Sequence, residues 1–122
     1  MTLIANGLMV AEAIRAQGLL AVEGISARVL DMHTAKPLDR DAIGRAAVQT
    51  GAIVVAEEHL VDGGLGVRVA QVVAETHPCP MEFVGLTGYA ESGSPDSLLD
   101  KYGMRAVNVA AAARKVLGRK KK

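Results

Sequence analysis

Short β-rich runs alternate with helical patterns along the chain. Thr2-Leu3-Ile4-Ala5 predicts a first strand that stops at Asn6-Gly7. Val10, Ala13, Ile14, Gln17 and Ala21 then recur at three- and four-residue steps and predict one face of a helix, which Gly24 stops. Ala27 to Met32 predicts a second strand. Pro37-Leu38-Asp39 opens the next helix, with Asp39 as N-cap, Ile43, Ala46 and Ala47 inward, and Gly51 at its end. Ala52-Ile53-Val54-Val55-Ala56 predicts a third strand. The helix from Leu65 to about Glu75 buries Val69, Val72 and Val73. Met81 to Leu86 predicts a fourth strand. After a loop, Thr87 to Gly93, Ser94 caps a short helix with Pro95 in its first turn and Gly103 at its close. A last helix runs from about Val107 to Leu117, with Ala110, Ala113 and Leu117 on one face.

Strand and helix alternating this regularly imply parallel strands joined by right-handed crossovers. The first three strands are nearly continuous apolar runs, as expected where helices cover both faces of a sheet. The pattern therefore predicts an α/β fold, a three-layer α/β/α sandwich. The 122 residues suit one domain, 1–122, with a basic tail at 118–122. Strand one begins at residue 2 with no polar lead-in, which suggests a piece or the tail of a larger protein.

Composition narrows the partners. Half of the residues are apolar and 2% are aromatic, so the core is aliphatic and few rings are free to stack on bases or sugars. The formal charge is +1, and four of the cations are Arg119-Lys120-Lys121-Lys122. Removing those four leaves −3 on the body, which argues against a nucleic-acid footprint. The single Cys79 allows no internal disulfide, in keeping with a reducing cytoplasm. No apolar run approaches the ~20 residues of a membrane span, so no membrane partner is expected.

The densest chemistry is Glu57-Glu58-His59 followed by Gly63-Gly64-Leu65-Gly66. It places two carboxyl groups and an imidazole at the carboxyl end of strand three, just before a glycine-rich helix start. In open α/β sheets ligands and partner surfaces gather at that edge, near Asn6-Gly7, where the strand order reverses. Free N–H groups at a helix start favour an anion. Yet no Gly-Lys-Ser/Thr follows the glycines, and a dinucleotide fingerprint would follow the first strand instead. A tight turn that brings helix and strand close is the favoured reading of the glycines. For Glu57, Glu58 and His59, contact with backbone, water or a neighbouring domain is favoured over acid–base catalysis. His33, His77 and Cys79 show no metal-site spacing, and no Ser or Cys sits in a nucleophile elbow. The residues alone offer no self-sufficient active site. They leave Asn6, Gly7, Glu57, Glu58, His59, Gly63 and Gly64 as a candidate interdomain or anion crevice.

Several segments resemble the C-terminal domain of transketolase. Ala27 to Asp39 is similar to its RVxDxxTxKPLD segment. Thr50 to His59 with Gly63-Gly64-Leu65-Gly66 resembles TGxIVxVEEHxxxGGLG. Glu91-Ser92-Gly93 with Leu98 to Gly103 resembles ESG…LLxKYG, and Thr2 to Gly7 resembles the opening TLIATG. Thr87-Gly88-Tyr89 departs from the pattern, since many members carry an Asp and a Phe there. The C-terminal domains of deoxyxylulose-phosphate synthase and of 2-oxoacid dehydrogenase β subunits share parts of these motifs. The forms seen here favour transketolase, especially the split type.

The resemblance implies a sheet in the order 2-1-3-4. It also implies that an antiparallel strand of the family, which precedes this segment, is missing, leaving the edge at Ala27–Met32 exposed. It further implies a parent enzyme that transfers a two-carbon ketol unit between sugar phosphates, using thiamine diphosphate and Mg held by pyrimidine- and pyrophosphate-binding domains. The present domain would bind no cofactor, carry no catalytic residue, and contribute to packing and to a homodimer. A free-standing regulatory module that binds a small anion is the alternative from a different class.

Overall fold

The computed structural model describes residues 1–120; Lys121 and Lys122 of the expected basic tail lie outside the described residues. Its elements are β1 (Thr2–Ala5), α1 (Met9–Val22), β2 (Arg28–Asp31), α2 (Arg40–Thr50), β3 (Ile53–Leu60), α3 (Leu65–Thr76), β4 (Met81–Leu86), α4 (Pro95–Lys101) and α5 (Ala106–Arg119). The strands form one sheet in the order β2-β1-β3-β4, and every neighbouring pair is parallel. The expected order 2-1-3-4 is the observed one.

Alternation along the strands builds two cores. Leu3 and Ala5 of β1 and Val54 and Ala56 of β3 face the layer made by α1 and α5. Ile4, Ile53 and Val55 face the opposite layer, where Ile43, Ala46 and Ala47 of α2 meet Val69, Val72 and Val73 of α3. Central strands buried on both faces need apolar residues at every position, and that is why β1 and the first half of β3 read as unbroken runs.

The helix boundaries follow from local chemistry. Asp39 Oδ1 accepts from Ala42 N at 3.0 Å, and Ser94 Oγ accepts from Ser97 N at 3.3 Å. Gly51 closes α2 in the left-handed region at φ 64°, which side chains resist. β2 lies at an edge of the sheet and pairs only with β1 among the described residues.

Three expectations need correction. The inward face of α1 is Met9, Glu12, Ala13, Ala16 and Leu20, whereas Ile14 is 55% exposed and Ala21 lies on the surface. An inward charged residue and inward alanines defeat a pattern scored on hydrophobicity alone. In α5, Val116 is fully buried and Leu117 only half so. β3 continues four residues past Ala56, so Glu57, Glu58 and His59 belong to the strand itself.

The end of α5 is fastened to β4. Lys115 Nζ and Arg119 Nη1 donate to the Glu82 carboxylate at 2.8 and 2.7 Å, and Arg119 also donates to the Met81 carbonyl. Burial pushes the Glu82 carboxyl up, but the hydrogen bonds from Lys115 and Arg119 outweigh it and hold the group below its usual 4.5. A carboxyl depressed by folding stabilises the protein above the unfolded value and loses that contribution as pH falls through the folded one. Glu82→Gln is therefore expected to lower Tm at pH 7, and the loss is expected to shrink as pH falls below 4.5 and through the depressed folded value. Melting both proteins across a pH series checks it; a Tm loss that stays constant as the solution is acidified would contradict it.

Candidate functional site

Beyond Ala56, strand parity points Glu57 to the same face as Val55, toward α3. Glu57 is 2% exposed. Its Oε1 accepts from Leu65 N at 2.8 Å and its Oε2 from Gly66 N at 2.7 Å. These are the first two N–H groups of α3, which intrahelical bonding leaves without partners. The N-cap residue is Gly64, which has no side chain to accept from them. Glu57 performs that task from seven residues upstream, and its charge also meets the positive end of the helix dipole.

The glycines exist to let this happen. A Cβ on Gly64 would stand 2.0 Å from Glu57 Oε1 and 2.6 Å from the Leu60 carbonyl oxygen. A Cβ on Gly66 would stand 2.6 Å from Phe83 Cδ1. Gly63 turns the chain at φ 91°, a conformation open mainly to glycine. The motif is therefore a close helix–strand return, as the sequence favours. The N–H groups that an external anion would need are already satisfied by Glu57.

The other candidate residues lie around this cap. Ala5 is paired with Ala56, which brings Asn6 and Gly7 to the same carboxyl edge as Glu57. Asn6 is half-buried, and Gly7 turns into α1 at φ 56°. Glu58 points away from α3 and is exposed. The His59 side chain is 63% exposed, with Nδ1 3.0 Å from the Leu60 carbonyl oxygen and 3.9 Å from Glu57 Oε1. So Asn6, Gly7, Glu57, Glu58, His59, Gly63 and Gly64 share one edge, yet only Glu57 is withdrawn from solvent and fully hydrogen-bonded.

Sequence reasoning missed a second buried carboxylate. Glu12 is 4% exposed; its Oε2 accepts from Ala106 N at 2.7 Å, and Arg15 donates to Oε1 at 2.6 Å. It caps α5 as Glu57 caps α3. Arg105, just before α5, bonds Asp100 and Asp96 and lies 3.7 Å from Glu12; the bond to Asp100 leads in raising its already high pKa. The signal was present: α5 opens on Arg105, which cannot accept a hydrogen bond, and Glu12 interrupts an apolar helix. His33, His77 and Cys79 are not gathered with these groups. His33 contacts Thr34, His77 ends α3, and Cys79 is half-buried, with burial pushing its thiol up. Among the described residues no group of three His, Cys, Asp or Glu is placed to hold a metal ion.

The comparisons with known proteins decide the family. Residues 1–109 match the family described as "Transketolase, C-terminal domain". The chain belongs to that family. The domain is 44% identical over 120 residues to the 6-deoxy-6-sulfo-D-fructose transketolase subunit SqwH of Clostridium sp. (strain MSTE9), covering 98% of this chain and 37% of that protein. It is 38% identical over 117 residues to the 1-deoxy-D-xylulose-5-phosphate synthase of Heliobacterium modesticaldum (strain ATCC 51547 / Ice1), covering 94% of this chain and 18% of that protein. Among solved structures it superposes on a split-gene transketolase, described as an inactive beta4 tetramer, with TM-score 0.94 and 46% identity. That match covers 98% of this chain and 40% of the other. The transketolase domain described here thus spans well under half the length of the relatives it matches.

The two capped helix starts do not fit the thiamine diphosphate and magnesium that the family implies. The helix-start N–H groups of α3 and α5, natural donors for a diphosphate, are taken by Glu57 and Glu12. Both carboxylates are held by backbone N–H groups.

Proposed function

We propose that residues 1–122 are one C-terminal domain of a split-type transketolase and that its work is assembly. In this reading the parent transfers a two-carbon ketol unit between sugar phosphates in the cytoplasm. Pyrimidine- and pyrophosphate-binding domains or subunits hold thiamine diphosphate and Mg, and this domain packs against them and supports a homodimer. The observation that carries the reading is the likeness to the split-gene transketolase over 98% of the chain at 46% identity. The spent carboxylates support a role without a chemical step of its own. The open edge of β2 offers one contact surface, since unpaired strand edges invite association. The carboxyl edge, with Glu58 and His59 exposed, offers another.

A His59→Ala variant tests the second surface. His59 is largely exposed, and its polar contacts are a neighbouring carbonyl and the flank of Glu57, so the isolated domain should melt within about 2 °C of the parent sequence, as surface changes of roughly 0.5 kcal/mol allow. Sedimentation of the assembled enzyme should show weakened association. A large fall in Tm with assembly intact would make the residue merely structural.

A further inference from the structure

Residues 87–103 run from the end of β4 through α4 toward α5, and of these only Leu99 is buried. The segment is braced within itself. The Tyr102 hydroxyl accepts from Glu91 N at 3.1 Å, and Lys101 is ion-paired with the Glu91 carboxylate. Among the described residues, its side-chain hydrogen bonds and ion pairs to the rest of the domain all converge on Arg105. That guanidinium donates from Nε to Asp100 Oδ1 at 2.7 Å. From Nη2 it donates to the Asp96 carbonyl at 3.0 Å and to Asp96 Oδ1 at 3.2 Å. The Asp96 and Asp100 side chains are 87% and 69% exposed, so dissolved salt reaches both pairs. On its other side the same guanidinium lies 3.7 Å from Oε1 of Glu12, which is buried in α1. A buried pair is screened far less.

We propose that residues 87–103 form a strap that opens as one unit under the control of ionic strength, with Arg105 as its latch. In the closed state Arg105 holds both ends of α4, and Leu99 is seated in the core cluster with Met104 and Ala106. In the open state Arg105 keeps Glu12 as its counter-charge. Glu12 Oε1 accepts from Arg15 at 2.6 Å, and a carboxylate oxygen has room for a second donor. Release of the strap therefore strands no buried charge, which keeps the open state within reach. Salt weakens the exposed pairs of the closed state and leaves the buried pair nearly untouched, so it tilts the balance toward opening. The braces between Glu91, Lys101 and Tyr102 travel with the strap, so it moves as a body rather than fraying. Opening uncovers the part of the core that Leu99 fills.

Hydrogen exchange of the whole chain, read by mass spectrometry, tests this at about 0.01 M and about 1 M sodium chloride, where the screening length is about 30 Å and about 3 Å. Protection of the α4 amides from Leu99 to Tyr102 is expected to fall by about 5-fold or more at the higher salt, the combined scale of two exposed ion pairs. The amides of β1 and β3 should keep theirs. Two variants are compared at the lower salt. Arg105→Gln removes the latch. Asp96→Asn combined with Asp100→Asn removes its partners on the strap and leaves Arg105 beside Glu12. Both should already show the faster exchange that the unaltered chain reaches only at high salt, with little further change as salt is added. Equal α4 protection at both salt concentrations, or a fall shared equally by β1 and β3, would overturn the strap. Variants that exchange like the unaltered chain at low salt would overturn Arg105 as its latch.

Discussion

Gly64→Ala should lower Tm by roughly 10 °C or more, at a cost of about 3 kcal/mol, although it adds only one methyl group to a buried turn. The added carbon would lie 2.0 Å from Glu57 Oε1 and 2.6 Å from the Leu60 carbonyl oxygen. A Cβ cannot occupy such positions. Either the carboxylate leaves the start of α3, or the turn opens and α3 shifts on the sheet. The first course strands two N–H groups in a place that water reaches poorly; the second unpacks Leu65 and Val69, both buried. The cost combines overpacking, at about 1–3 kcal/mol, with the loss of capping bonds. Thermal melting followed by circular dichroism checks it. A Tm within about 2 °C of the unaltered chain would show that the turn yields easily and that the glycine is incidental.

Glu57→Ala should cost about as much, by the opposite route. It removes both acceptors from Leu65 N and Gly66 N and leaves a void behind α3. Bonds to a charged acceptor contribute about 1.5–3 kcal/mol each, and the desolvation of the buried carboxylate offsets part of that, so a net loss of about 3 kcal/mol is expected. Glu57→Gln keeps one acceptor and fills the space, and it should lose roughly half as much. Urea unfolding of the three proteins gives the values. The two sites also share a mechanism. In a Glu57→Ala background the Gly64→Ala change no longer meets the carboxylate and keeps the clash with the Leu60 carbonyl, so its cost should fall by about 1 kcal/mol or more. Strictly additive effects would mean that Glu57 and Gly64 do not act on one another.

These two residues also show how far the sequence could be read. The fold was legible because the physics that sets it is local and repetitive. Apolar runs mark strands covered on both faces, Asp39 and Ser94 mark helix starts, and Gly51 and Gly103 mark helix ends. The carboxyl edge was legible as a place, since strand order and the glycine cluster point to it. What Glu57 does there was not, because a cap supplied from another element leaves no spacing rule in the sequence. Glu12 was harder still. Its partner, Ala106 N, is 94 residues away, and a charged residue on the inward side of α1 rotates the apparent apolar face toward Ile14. In both cases an acidic residue that looks chemical serves as a piece of helix architecture.

That distinction, carboxylates that hold helices against carboxylates that serve a cofactor, is tested most directly by titration calorimetry of the chain with thiamine diphosphate in the presence of magnesium. With Glu57 and Glu12 committed to the backbone, no heat of binding is expected up to millimolar cofactor. A saturable isotherm in the micromolar range would contradict the account, since the capping carboxylates would then have to release the helix starts they are described as holding.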